Sequence, residues 1–125
     1  MKVKGKALDG KVAIVTGGAS GIGEAVGKIF VENSCKVILI DINRDRLKKV
    51  VEETAKEGGN CKGIYADVSV ESQVRKFFQD VMEEYGRVDI LVNSAGRDSL
   101  SPPITEVTIE EWEKTINSNL KAVFL

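Results

Sequence analysis

The chain has 125 residues, with 18 lysines and arginines against 19 aspartates and glutamates and a formal net charge of −1, so bulk charge excludes a nucleic-acid or anionic-membrane binder. Hydrophobic residues make up 42% and charged residues 30%, the profile of one ordinary globular domain, and a chain of this size buries roughly two thirds of its unfolded surface without staples. Histidine is absent, which excludes Ser-His-Asp triads, Cys-His dyads and most zinc sites, and no metal site is predicted.

The basic leader Met1-Lys2-Val3-Lys4-Gly5-Lys6 precedes an apolar run, Val12 to Val15, that is too short for a signal-peptide core. No apolar run is long enough to span a membrane, and a cytoplasmic location is expected. Lys11 to Thr16 predicts a first strand whose continuously apolar middle fits a parallel sheet covered on both faces. Ile22, Ala25, Val26, Ile29 and Phe30 then recur at helical spacing as one apolar stripe. Val37 to Ile40 predicts a second buried strand. Leu47, Val50, Val51, Thr54 and Ala55 mark one face of a helix running from Asn43 to Gly58 and stopped by Gly58-Gly59. Cys35 and Cys61, in no Cys-x-x-Cys arrangement, are expected to be buried free thiols.

Cys61 to Ala66 predicts a third strand. Val70, Val74, Phe77, Phe78, Val81, Met82 and Tyr85 give the longest apolar stripe, closed by Gly86, and Val88 to Asn93 predicts a fourth strand. After Pro102-Pro103, Thr108 and Glu111 form a capping box that opens a last helix. Trp112, Ile116, Leu120 and Val123 carry its stripe to Leu125 without a cap, as in a helix that is cut rather than finished. Strands alternating with helices imply right-handed crossovers and a doubly wound α/β domain over residues 1–125, a three-layer sandwich of strand order 3-2-1-4 truncated on its C-terminal side. Ligands are then expected at the carboxyl ends of strands 1 and 4, where the order reverses.

Three features sit at those strand ends. Thr16-Gly17-Gly18-Ala19-Ser20-Gly21-Ile22-Gly23 follows the first strand and opens a helix. Glycines at this spacing allow a tight turn, close approach of a pyrophosphate and close helix–strand packing, while the helix N-terminus offers N–H groups to phosphate. Asp41-Ile42 ends the second strand, eighteen residues after Gly23. Its carboxylate either accepts both hydroxyls of an adenosine ribose, repelling the 2′-phosphate of NADP, or caps the helix that follows. Ser20 is neutral and Arg44 is the nearby cation, so NAD is favoured. Asp67-Val68 and Asn93-Ser94-Ala95-Gly96 close strands 3 and 4, suited to an adenine amino group and a nicotinamide ribose, or to ordinary turns.

Thr-Gly-x-x-x-Gly-x-Gly, an acidic residue after strand 2, Asp-Val after strand 3 and Asn-x-Ala-Gly after strand 4 together resemble the short-chain dehydrogenase/reductase family. Asn117-Ser118-Asn119-Leu120-Lys121-Ala122 resembles the family's Asn-Leu-x-Gly segment, with Ala122 in place of glycine. The look is closest to the group of 3-oxoacyl-carrier-protein reductases and glucose or alcohol dehydrogenases. The resemblance implies a Rossmann-type fold in which Gly17, Ser20, Gly21, Ile22 and Gly23 hold phosphates and adenosine ribose. It implies that Asp41, with Ile42 beside it, selects NAD, and that Asp67 and Val68 flank adenine. Asn93, Ser94, Ala95 and Gly96 would line the nicotinamide half, with Ser94 departing from the family's usual asparagine. Asn119 matches the catalytic asparagine that holds a water in the family's proton relay.

Family members are about twice this length, and their catalytic serine and Tyr-x-x-x-Lys find no counterpart here: Tyr65 is followed four residues on by Ser69, and Tyr85 by Asp89. The expected function is hydride transfer between NAD(H) and a small carbonyl compound or secondary alcohol bound near Arg97 to Leu100, in a parent that is a homo-oligomer built through the last helix. By itself this chain is expected to be inactive. The alternatives are a non-catalytic NAD-binding module and a nonfunctional fragment.

Overall fold

The computed structural model describes residues 7–56, 58–97 and 102–125, so the leader Met1 to Lys6 lies outside the described residues. Four parallel strands form one sheet, β1 (Val12–Thr16), β2 (Lys36–Asp41), β3 (Asn60–Tyr65) and β4 (Ile90–Asn93), in the order β3-β2-β1-β4. This is the predicted doubly wound topology. β1 and β2 are central, and Val12 to Val15 and Val37 to Ile40 are each at most 1% exposed. Their unbroken apolar runs follow from that, because alternate side chains feed two cores. Val12, Ile14, Ile38 and Ile40 face one side with Val74, Phe77 and Val81. Val15, Val37 and Leu39 face the other with Val31, Leu47 and Val50. Full burial of a side chain such as Ile14 or Ile38 contributes about 2 kcal/mol. The outer strands are only half covered, and Leu91 of β4 is 45% exposed.

Helices α1 (Gly21–Glu32) and α2 (Arg44–Lys56) cover the second core, and α3 (Glu71–Tyr85) covers the first. The stripe predicted for α1 is corrected. Ile22 is 76% exposed and Ala25 is also exposed, whereas Gly23, Gly27 and Val31 are buried, with Val26 and Phe30 partly so. The helix lies so close to the sheet that a Cβ on Gly27 would come within 2.7 Å of the Leu39 side chain. Backbone therefore occupies the seam that a periodicity argument assigns to branched residues. Ala55 and Met82 likewise turn outward from the predicted faces of α2 and α3. α3 ends as expected at Gly86, whose φ of 71° is left-handed and whose N–H reaches the Met82 carbonyl at 2.9 Å.

Beyond a short 3₁₀ turn (Ile104–Glu106) lies α4 (Ile109–Ile116), opened by the Glu111 N–H donating to the Thr108 hydroxyl oxygen at 3.2 Å. The single helix predicted to run to Leu125 is interrupted by a π-helical turn at Asn117–Lys121 before α5 (Ala122–Phe124). Trp112, Leu120, Val123 and Phe124 are 50% or more exposed, while Leu125 packs on the first core. Cys35 is buried as expected, donating to the Leu8 carbonyl at 3.1 Å, but Cys61 on the outer strand is only half-buried. Both are free, and burial pushes the Cys61 thiol up to about 11.

β4 starts two residues later than predicted because Asp89 does the work of a ladder. Its N–H donates to the Val12 carbonyl at 2.9 Å and its carboxylate accepts the Val12 N–H at 2.9 Å. Arg87 donates to the same carboxylate, and Lys11 lies 3.7 Å away. Hydrogen bonds from Arg87 and from Val12 hold the Asp89 carboxyl below its ordinary value of 3.8. A depressed carboxyl stabilises the fold above its ordinary value and loses that contribution as pH falls through the folded one. The melting temperature is therefore expected to fall below about pH 4, and Asp89→Asn to flatten that fall while lowering stability at neutrality. Calorimetric scans of both proteins across that range check it, and parallel acid limbs would contradict the clamp.

Candidate functional site

A cleft of about 680 Å³ opens over the carboxyl ends of all four strands, the size and place of a ligand site in an open α/β sheet. Its floor is the glycine-rich loop. Gly17 has φ +65°, and a Cβ there would meet the Ser94 and Ala95 backbone at 2.9 Å. Thr16, only 5% exposed, anchors this junction: its hydroxyl accepts the Ser94 and Ala95 N–H groups at 3.2 and 3.1 Å and donates to the Val92 carbonyl at 3.4 Å. Gly18 N–H reaches the Ile40 carbonyl at 3.1 Å, so the loop is tied to β2 as well as β4. Ser20 precedes α1 in extended conformation and its side chain makes no capping bond. The first-turn N–H groups of α1 are thus left to a ligand.

Asp41 stands at the end of β2 in the cleft wall, with Ile42 beside it. Its two carboxylate oxygens accept the Ala19 N–H at 3.0 Å and the Asn43 N–H at 2.8 Å. The capping role open to Asp41 belongs to Asn43, whose side-chain oxygen accepts the Arg46 N–H at 3.1 Å. The cation on the loop also differs from the sequence reading. Arg44 lies 4.5 Å from the centre of the Tyr65 ring, whereas the Arg46 side chain donates to the Ala19 carbonyl at 3.1 Å and approaches Glu24 at 3.8 Å.

Asp67 and Val68 line the third wall. One Asp67 oxygen accepts both the N–H and the hydroxyl of Ser69, at 2.9 and 2.6 Å, and the Asp67 N–H donates to Gln73 at 2.8 Å. Ser94, Ala95, Gly96 and Arg97 form the fourth wall, facing Lys114, Asn117 and Ser118 from the last helices. Of the residues singled out from the sequence, Gly17, Ser20, Gly21, Ile22, Asp41, Ile42, Asp67, Val68, Ser94, Ala95 and Gly96 are brought together here.

Three others are placed elsewhere. Gly23 lies under the loop, where a Cβ would stand 2.2 Å from the Gly17 carbonyl oxygen. Asn93 points to a separate apolar pocket shared with Leu91 and Val123. Asn119, in the π-helical turn, straps the loop: its side-chain oxygen accepts the Arg97 N–H at 2.8 Å and the Ser118 hydroxyl at 2.7 Å, and its amide donates to the Arg97 carbonyl at 3.1 Å. Lys114 and the Thr16 hydroxyl are functional candidates that sequence reasoning missed, and Arg97, expected only as one end of the substrate position, lines the cleft itself. For Thr16 the signal was its place as the last residue of a buried strand.

Neither tyrosine is near the cleft's chemistry as an acid. Tyr65 is stacked with Arg44 on the outer strand. Tyr85 ends α3 near Lys36, at the amino end of β2 and away from the cleft, and burial together with Glu84 pushes its hydroxyl up to about 12, away from an activated tyrosinate. Among the described residues no group of three or more His, Cys, Asp or Glu side chains is placed to hold a metal ion, and no helix is long and apolar enough to cross a membrane.

Comparison with known proteins places this architecture. A family model described as short chain dehydrogenase matches residues 11–125. The chain is 39% identical over 119 residues to a 3-oxoacyl-(acyl-carrier-protein) reductase of Thermotoga maritima, covering 94% of this chain and 47% of that protein. It is 36% identical over 118 residues to D-threitol dehydrogenase of Mycolicibacterium smegmatis, with 94% and 45% covered. A crystal structure of 3-ketoacyl-(acyl-carrier-protein) reductase from Brucella melitensis complexed with NADH superposes with a TM-score of 0.88 at 33% identity, covering 95% of this chain and 48% of that one. The chain spans about half the length of the relatives it matches.

Proposed function

This chain belongs to the short chain dehydrogenase family of oxidoreductases, and on that premise we propose that its cleft binds NAD(H) as the cofactor part of a dehydrogenase acting on a small carbonyl compound or secondary alcohol. The observation that carries this reading is Asp41. Two backbone N–H groups fix its carboxylate between the glycine-rich loop and β2, and each oxygen keeps a lone pair for one ribose hydroxyl. The fit extends to the loop, where Gly17 and Gly23 leave no room for side chains between loop, helix and β4.

When bound, NAD(H) supplies or accepts the hydride. The chain's own residues bind and orient it. Ser20, Gly21 and Ile22 present the α1 N-terminus to the diphosphate, Asp41 orients the adenosine ribose and rejects a 2′-phosphate, and Asp67 and Val68 flank the adenine. Ser94, Ala95 and Gly96 border the nicotinamide ribose, and Asn119 fixes that border through Arg97. The substrate position between Arg97 and Leu100 lies mostly outside the described residues. With no lysine four residues after either tyrosine, the 125 residues bind without turnover, and the exposed Trp112, Leu120 and Phe124 serve contacts in an oligomeric parent.

Isothermal titration of the chain with NAD and NADP tests the reading. Micromolar binding of NAD, at least tenfold tighter than NADP, is expected from the charge at Asp41. Equal affinities would remove the role given to Asp41, and no binding of either would leave the reading of a nonfunctional fragment.

A further inference from the structure

Among the described residues, four charged side chains line the cleft: Asp41 and Asp67 on the β2 and β3 walls, Arg97 and Lys114 on the wall made by the β4 loop and α4. The glycine-rich floor, Gly17 to Gly23, has no cationic residue of its own, and Arg46, which meets it at the Ala19 carbonyl, does not line the cleft. A ligand that offers a ribose to Asp41 and lies along that floor brings a diphosphate into a cleft where, among the described lining residues, the positive side chains are Arg97 and Lys114. Without them, two carboxylates would oppose it.

Both cations are engaged within the protein. Arg97 lies 3.6 Å from Glu111, and Lys114 is bonded to Glu110 and 3.9 Å from Glu111. The Glu110 bond holds Lys114 above its ordinary value, while the Arg97 charge opposes it. The Arg97 backbone is pinned at both its N–H and its carbonyl by Asn119, so the guanidinium is free to change partners without moving the loop. Its contact with Glu111 is long and half-exposed, a weak pairing that a doubly charged diphosphate outcompetes.

We infer that Arg97 and Lys114 form a cationic wall that takes the diphosphate of a bound nucleotide, and that Glu111 is an internal carboxylate that holds Arg97 until the diphosphate displaces it. This rests on the nucleotide reading of the cleft and adds to it a residue that lowers affinity.

The test is titration of the 125-residue chain and its variants with adenosine, ADP and NAD. Arg97→Gln is expected to weaken ADP and NAD by about tenfold and to reduce the salt dependence of ADP binding, while adenosine changes less than about twofold. Glu111→Gln is expected to act in the opposite direction, tightening ADP by about threefold and leaving adenosine unchanged. Should Arg97→Gln fail to fold, the gain in Glu111→Gln still decides. Equal losses for adenosine and ADP in Arg97→Gln, or ADP binding unchanged in Glu111→Gln, would overturn the wall. A wild-type chain that binds none of the three would overturn the nucleotide reading first and the wall with it.

Discussion

Gly23→Ala is expected to abolish nucleotide binding and to cost about 3 kcal/mol of folding stability. The added methyl would stand 2.2 Å from the Gly17 carbonyl oxygen, 2.8 Å from the Gly17 carbonyl carbon and 3.2 Å from the Thr16 carbonyl oxygen. All three are backbone atoms, so no rotamer change relieves the clash. Either α1 lifts from the sheet, opening the seam at Gly27 and Val31, or the loop moves and loses its ties to Ile40 and β4. Gly21→Ala is the control. Its φ is +54° but open space surrounds it, so its cost is the left-handed backbone alone, about 1 kcal/mol. Urea titrations of the two variants, with NAD titrations beside them, decide the matter. A Gly23→Ala chain as stable as wild type would mean that helix–loop contact is not what requires glycine there.

Asp41→Ser is expected to shift the ratio of NAD to NADP affinity by about a hundredfold toward NADP, near 3 kcal/mol. Two effects combine in that ratio: loss of charged acceptors for the ribose hydroxyls, and loss of repulsion toward a 2′-phosphate. Arg46, already on the loop at Ala19 and with its side chain 58% exposed, is within reach of the added phosphate. The substitution also leaves the Ala19 and Asn43 N–H groups without their acceptor, which loosens the loop for both cofactors alike. For that reason the ratio, not either affinity, is the measurement. An unchanged ratio would return Asp41 to a purely structural role at the loop.

The central strands and the glycine-rich loop were legible because each follows from local chemistry. Val12 to Val15 and Val37 to Ile40 are apolar on both faces because both faces are covered. Where packing is done by backbone, the pattern misleads: the apolar residues Ile22 and Ala25 hold the helical spacing that Gly23 and Gly27 use. The π-helical turn takes an extra residue and so rotates the side chains that follow it, a shift that the α-helical spacing of Trp112, Ile116, Leu120 and Val123 did not announce. Asn119 was noticed through resemblance, but its hold on Arg97, twenty-two residues away, is tertiary and silent in sequence. Arg46 was passed over for Arg44 for the same reason, one helix position deciding which guanidinium meets the loop.

The pairing of β1 with β4 joins residues 76 to 79 positions apart through the Thr16 hydroxyl and the Val12–Asp89 clamp. β1 and β2, in contrast, lie a single helix apart, and their apolar residues sit at the centre of both cores. Closure entropy grows with the separation of the joined ends, so long-range pairing is a late and costly event in chain assembly. The fourth wall of the cleft thus rests on the strand pairing with the largest closure cost in this sheet. A ligand that spans the cleft would therefore report on the pairing of β1 with β4 as well as on the glycine-rich loop.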